Sequence, residues 1–139
     1  GDGDLREESE ALVSSLGLGN VVQFLGNKSN VGDYYASASC FIHSSPSEGL
    51  PTTILEAMSF EIPVVATDSM PGVREIDGGV HCLDICSVGD AEQMAALVQR
   101  CLIDEEHANS MINNASKRLE SFGYRKAIDG LESIITGDE

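Results

Sequence analysis

The sequence predicts an α/β domain in which helices flank a largely parallel sheet. Short apolar runs of strand type alternate with helical stripes along most of the chain, as in parallel sheets with crossover helices. The chain has 139 residues, of which 42% are apolar, and this is enough for one buried core. We therefore predict that residues 1–139 form a single domain.

The spacing of apolar residues and the positions of glycine and proline define the elements of the first half. The first helix is expected to begin at Asp4, with Glu7 as the partner in a capping box, and to end at Gly17. The elements predicted after it are a strand at 21–25, a short helix at 31–38, a strand at 40–44, a helix at 51–60 and a strand at 63–67.

The second half continues the alternation and then becomes helical. Pro71 and Gly72 indicate a loop over residues 68–72, and residues 73–76 are expected to form a single helical turn at most. Apolar spacing predicts the remaining elements, which are a strand at 80–85 and helices at 90–103, 105–120 and 124–136.

Two glutamates with seven residues between them, Glu48 and Glu56, stand where a strand is predicted to turn into a helix. Pro51 suits a first helical position, because its missing N–H has no partner there anyway. The free N–H groups of such a helix start attract anions, phosphate above all. Because carboxylates repel phosphate, the two acids would have to bind hydroxyl groups beside it. A diphosphate that links two sugars fits this arrangement.

The same segment, Glu-Gly-Leu-Pro followed by Glu56-Ala-Met, resembles the E-x7-E motif of retaining glycosyltransferases of family 4, which have the GT-B fold. Four other segments resemble that family in the same order, namely residues 1–6, 22–26, 63–67 and 72–76. The resemblance implies a Rossmann-like C-terminal half of a GT-B fold. It also implies that the first strands of that domain are missing from the chain and that the fragment alone is inactive.

The resemblance assigns roles to the motif residues. Glu56 would bind the ribose hydroxyls of the donor nucleotide, and Glu48 would lie by the donor sugar at the reacting centre. A carboxylate there can stabilise an oxocarbenium-like transition state. The remaining expected donor contacts are backbone or hydroxyl groups of Gly49, Leu50, Thr52, Thr53, Asn27 and Lys28. For Asn27 and Lys28 a polar turn without ligand contact is an equal alternative.

Composition excludes several functions. With 8 basic and 23 acidic residues, the chain has a formal charge of −15, which disfavours nucleic acid and anionic membrane surfaces as partners. The four cysteines are expected to be reduced core thiols, which indicates a reducing, cytoplasmic setting. Cys82 and Cys86, on the predicted strand at 80–85 and its end, would be about 13 Å apart, too far to share a metal ion.

The resemblance further implies a nucleotide-sugar donor, UDP-linked by analogy, with no metal and no other cofactor. The acceptor would be a glycan or a lipid-linked glycan bound mainly by the missing N-terminal domain. Relatives of this type build bacterial surface polysaccharide such as O-antigen, in the cytoplasm or at the inner face of the membrane. Exposed strand edges in the fragment would favour dimers or exchanged segments.

Two other functions remain open at this stage. A redox dinucleotide-binding domain would need a third glycine in the segment Gly-Asp-Gly-Asp-Leu-Arg at residues 1–6, and the chain lacks it. A binding domain that keeps the fold without catalysis is the second alternative. Retention of both Glu48 and Glu56 disfavours that alternative.

Overall fold

The computed structural model describes residues 2–123, so the helix predicted at 124–136 lies outside the described residues. The chain divides into two compact units, one ending at Tyr34 and the other beginning at Tyr35, and the single-domain assignment stays a prediction. In chain order the elements are α1 Arg6–Ser15, α2 Val31–Ser37, β1 Phe41–His43, α3 Thr52–Ser59, β2 Val64–Thr67, α4 Gly72–Asp77, β3 Asp84–Cys86, α5 Ala91–Ile103 and α6 Glu105–Ser121.

The three strands form one parallel sheet in the order β1-β2-β3. Ile42 of β1 pairs with Val65 of β2, and Val65 pairs in turn with Asp84 of β3. All carboxyl ends of the strands therefore meet at one edge of the sheet, and all amino ends meet at the other. The predicted α/β architecture with a parallel sheet is confirmed.

The central strand β2 is buried at all four positions because helices cover both of its faces. Val64 and Ala66 pack into a cluster with α3, α4 and the end of α6. Val65, on the opposite face, packs against Cys101 and Met111. Because successive residues of β2 face opposite sides of the sheet, α3 packs on one face of the sheet and α5 packs on the other.

The strand predicted at 21–25 is wrong: the segment is irregular. A strand needs a neighbour to complete its ladder of hydrogen bonds, and among residues 2–34 no second strand is present. The backbone groups use other partners. The N–H groups of Val21 and Val22 both donate to the Leu18 carbonyl, and the Arg6 guanidinium donates to the Phe24 carbonyl at 3.1 Å.

The capping box predicted for the first helix is also wrong, although the helix itself is confirmed. Leu5 occupies the N-cap position and no side chain caps the helix. The prediction for its end is correct, because Gly17 has a φ of +70° and the Leu18 N–H bonds to the Val13 carbonyl.

β3 begins four residues later than predicted because a buried side chain organises the residues before it. Asp77, 7% exposed, accepts hydrogen bonds from the backbone N–H groups of Gly79 at 3.1 Å, Cys82 at 2.9 Å and Leu83 at 3.3 Å. These donors are therefore satisfied by a carboxylate instead of a neighbouring strand. The segment forms a turn, and α4 before it is a six-residue helix, longer than predicted.

All four cysteines are free thiols, as predicted, and Cys82, Cys86 and Cys101 are buried. Burial raises the pKa of Cys82 and of Cys101 to about 12, and nearby aspartates add to the effect. The predicted distance of about 13 Å between Cys82 and Cys86 assumed a strand that begins at residue 80. β3 begins at Asp84, so that assumption was wrong. Over residues 2–123, however, neither thiol belongs to a group of three potential metal ligands.

Across residues 2–123, no helix combines the length and the apolar character needed to span a bilayer.

Candidate functional site

Glu48 follows β1 at the carboxyl edge of the sheet and is held there by the neighbouring loop. Its backbone forms an isolated parallel bridge with Pro71. Its side chain is 32% exposed, and Oε1 lies 3.3 Å from Nε2 of His43. The carboxylate is thus accessible to a ligand while the backbone beneath it is fixed.

His43 is a site residue that sequence reasoning missed. It is the last residue of β1, and its largely buried side chain extends toward Glu48. Nε2 is buried and makes no well-aligned hydrogen bond. The contact with Glu48 is therefore a charge contact when the imidazole is protonated. A polar residue ending an otherwise apolar strand was the available signal.

Glu56 projects from α3 and is held by a tyrosine that sequence reasoning also missed. The hydroxyl of Tyr35, in a largely buried side chain, donates to Oε2 of Glu56 at 3.0 Å. The Thr53 carbonyl is a second acceptor for that hydroxyl, at 3.4 Å. The tyrosine ring stacks on Phe60 with 5.3 Å between centroids. Glu56 is thus oriented by a group that is itself fixed in the core.

The start of α3 differs slightly from the prediction. Pro51 is the N-cap residue, with φ −74° and ψ 92°, and Thr52 is the first helical residue. No side chain caps this helix, and Thr52 lies within it, not at the N-cap. The first N–H groups of a helix have no intrahelical partner. The residues expected to contact the donor here are all exposed: Gly49, Leu50, Thr52 and Thr53.

Gly72, at the start of α4, packs directly beneath the motif loop. A methyl group added at Gly72 would lie 2.2 Å from the Gly49 carbonyl oxygen and 2.8 Å from Cδ of Pro51. This position therefore accommodates glycine alone without movement of the loop. The close approach lets the loop after β2 support the loop after β1.

Arg74 of α4 forms an ion pair with an acid in the loop after β2. Its guanidinium donates to both carboxylate oxygens of Asp68, at 2.8 and 2.7 Å. These hydrogen bonds hold the pKa of the Asp68 carboxyl below its usual range. The positive charge of Arg74 is therefore balanced within the protein.

Asn27 and Lys28 lie in the other compact unit and are exposed. The Asn27 backbone N–H donates to the Asp2 carboxylate at 3.2 Å. Their contact with the ligand of Glu48 and Glu56 stays a prediction.

An uncapped helix start beside the carboxyl end of a parallel strand is the arrangement with which α/β domains bind anionic ligands. The flanking acids add acceptors for hydroxyl groups. The chain belongs to the family "Glycosyl transferases group 1", whose model matches residues 1–118. The predicted membership of this glycosyltransferase family is thereby confirmed, and the retaining mode stays a prediction.

Two similar proteins illustrate the family. One is an α-1,4-N-acetyl-D-galactosaminyltransferase of Campylobacter jejuni, whose name includes a diphospho-undecaprenol-linked glycan. It is 33% identical over 122 residues, which are 88% of this chain and 33% of the Campylobacter protein. The lipopolysaccharide core biosynthesis glycosyltransferase LpsE of Rhizobium meliloti is 28% identical over 128 residues, which are 92% of this chain and 37% of LpsE.

Among solved structures, the Anabaena protein Alr3699/HepE in complex with UDP-glucose has a TM-score of 0.78 and 25% identity, over 96% of this chain and 38% of HepE. This likeness confirms the Rossmann-like fold of GT-B glycosyltransferases. The chain spans between 19% and 38% of the first three curated relatives that it matches.

Proposed function

We propose that the chain is the donor-binding part of a retaining glycosyltransferase. It binds a nucleotide-sugar, specifically a UDP-sugar, and presents a hexose or N-acetylhexosamine for transfer to a glycan or lipid-linked acceptor. The observation that carries this proposal is the placement of two oriented acids, Glu48 just before the uncapped start of α3 and Glu56 on that helix.

In this proposal, different groups of the protein bind different parts of the ligand. The N–H groups at the start of α3 meet the diphosphate, since the positive end of a helix stabilises anions. Tyr35 occupies Oε2 of Glu56, and the other carboxylate oxygen accepts from a ribose hydroxyl. Glu48, near the sugar, stabilises positive charge that develops at the anomeric carbon. No metal serves the diphosphate in this proposal.

The relatives support the wider setting. One has a diphospho-undecaprenol glycan in its name and another is named for lipopolysaccharide core biosynthesis. HepE was solved with UDP-glucose. We accordingly place the protein in bacterial surface polysaccharide synthesis, such as that of O-antigen. It would work in the cytoplasm, at the inner face of the membrane, with the acceptor bound by a further domain.

Calorimetric titration of the full-length protein tests donor binding. We expect UDP and UDP-sugars to bind more tightly than NAD. Glu56→Ala should weaken UDP binding about 10- to 100-fold, because a hydrogen bond to a charged group contributes about 1.5–3 kcal/mol. Glu92→Ala, the same change on the exposed face of α5, is the matched control and should leave the affinity unchanged.

Tighter binding of NAD than of UDP would refute the proposal in favour of a redox domain. Failure of the full-length protein to bind any nucleotide would instead favour an interaction domain without catalysis. Equal affinities of Glu56→Ala and Glu92→Ala would remove Glu56 from the site.

The edge of β1 supports the predicted association of residues 1–139. Among the described residues 35–123, β1 pairs with β2 alone, and Ile42 is 49% exposed beside an open apolar groove along α5. A strand edge with apolar surface pairs readily with another chain. We expect residues 1–139, prepared alone, to form dimers in light scattering, and a monomer at high concentration would contradict this.

A further inference from the structure

Three side chains of metal-binding types meet at the edge of the sheet opposite to the glutamates. Asp84, Cys101 and His107 offer ligand atoms that all lie within 4.8 Å of one another. Oδ2 of Asp84 is 2.7 Å from Nε2 of His107 and 3.7 Å from Sγ of Cys101. An oxygen, a nitrogen and a sulfur thus converge on one point.

The topology of the domain explains the convergence. Asp84 is the first residue of β3, so it lies at the amino edge of the parallel sheet. Cys101 lies near the end of α5, which returns from the carboxyl edge to the amino edge. α6 begins after one intervening residue and carries His107 in its first turn. Three consecutive elements therefore contribute one residue each.

Cys40 lies beside this cluster. It stands one residue before β1, at the same amino edge as Asp84. It packs with the same apolar residues as Cys101, but its sulfur is not among the ligand atoms that converge. The three converging atoms lie where solvent is largely excluded, since the side chains of Asp84 and His107 are 15% and 16% exposed and Cys101 is buried.

We propose that Asp84, Cys101 and His107 bind a Zn²⁺ ion, with a water molecule as the fourth ligand. Thiolate and imidazole ligands favour zinc over magnesium or calcium, which take oxygen ligands. The Cys101 thiol releases its proton to solvent as the ion binds. The ion would join α5 and α6 to the amino end of β3.

The observed distances approach those of a tetrahedral site. With zinc bonds of about 2.0 Å to nitrogen or oxygen and 2.3 Å to sulfur, neighbouring ligands lie about 3.3 Å (N to O) and 3.6 Å (S to O) apart. The separation of Asp84 and Cys101 is already 3.7 Å. Asp84 and His107, at 2.7 Å, must move apart by about 0.6 Å to admit the ion. Small side-chain rotations suffice, since both residues retain partial exposure.

The competing explanation is that Asp84 and His107 form a hydrogen-bonded pair beside the Cys101 thiol, with no ion. The side chains of Asp84 and His107 are 15% and 16% exposed, so a charged pair is feasible there as well. The two explanations differ in whether the Cys101 thiol takes part. This difference determines the experiment.

The full-length protein, reduced and stripped with a chelator, should be titrated with Co²⁺ and Zn²⁺. We expect one Co²⁺ per chain, with thiolate-to-cobalt charge transfer in the near ultraviolet and the visible bands of a tetrahedral ion. Zn²⁺ should displace the cobalt and raise the melting temperature. Cys101→Ser and His107→Gln should each weaken binding at least about 100-fold, since each removes a direct ligand.

Cys86→Ser is the matched control, because Cys86 is a buried thiol outside the cluster. It should bind cobalt as the unaltered protein does. Absence of the charge-transfer band in the unaltered protein, or its persistence in Cys101→Ser, would overturn the proposal. The measurement on unaltered protein decides the matter even if a variant fails to fold. Donor binding is read separately, so the zinc proposal and the proposed function can fail independently.

Discussion

Glu48→Gln in the full-length protein is expected to lower kcat for sugar transfer about 100- to 1,000-fold. Glutamine keeps the size of the side chain and one accepting oxygen, but it removes the negative charge. A preorganised charged group near a developing charge contributes on this scale to transition-state stabilisation. Because Glu48 is fixed by its bridge to Pro71 and by His43, the substitution should leave the fold intact.

Steady-state kinetics with a saturating UDP-sugar would measure this effect, with Glu92→Gln as the exposed control. KM for the donor should change much less than kcat, because the charge acts in the transition state. Unaltered turnover in Glu48→Gln would remove Glu48 from the reacting centre. A change confined to KM would make it a residue that binds the donor in the ground state.

The second large effect is expected from Gly72→Ala. The added methyl group would overlap the Gly49 carbonyl oxygen, which lies 2.2 Å from its position. The obstacle is backbone, so a whole loop must shift. We expect the free energy of unfolding to fall by about 2–3 kcal/mol, the upper range for overpacking. Because the displaced loop carries the proposed donor contacts Gly49 and Leu50, UDP affinity should fall as well.

Urea denaturation and calorimetry on the same samples would measure both consequences. Gly19→Ala provides the matched control, since a methyl group there meets no atom within 4 Å and the backbone has an ordinary φ. Its stability should stay within about 1 kcal/mol of the unaltered protein. If Gly72→Ala proved as stable as Gly19→Ala, the loop contact would not be rigid in solution.

The spacing of apolar residues predicted the strands of the sheet and the helices that pack on it. β1, α3, β2, α5 and α6 all occur where the apolar spacing placed them. The two errors in strand assignment share a cause. The strand propensity of a segment does not predict the hydrogen-bond partners of its backbone N–H and C=O groups. Within residues 2–34 the segment at 21–25 has no strand with which to pair, and the segment before Asp84 bonds to the Asp77 carboxylate.

The candidate site was predictable to a lesser extent. The spacing of Glu48 and Glu56 indicated their positions after a strand and on a helix, and both are found there. The residues that support them could not be inferred, because the contacts span long stretches of chain. Tyr35 reaches Glu56 across 21 residues, and Gly72 supports a loop that precedes it by more than twenty positions.

The three hydrogen bonds that Asp77 accepts constrain how this region can vary in length. Their donors are spread over the turn from Gly79 to Leu83, immediately before β3. An insertion or deletion there would break at least one of these bonds and shift the register of Asp84 against Val65. Length variation should therefore be tolerated in exposed turns such as the one at Gly19, and not between Asp77 and β3.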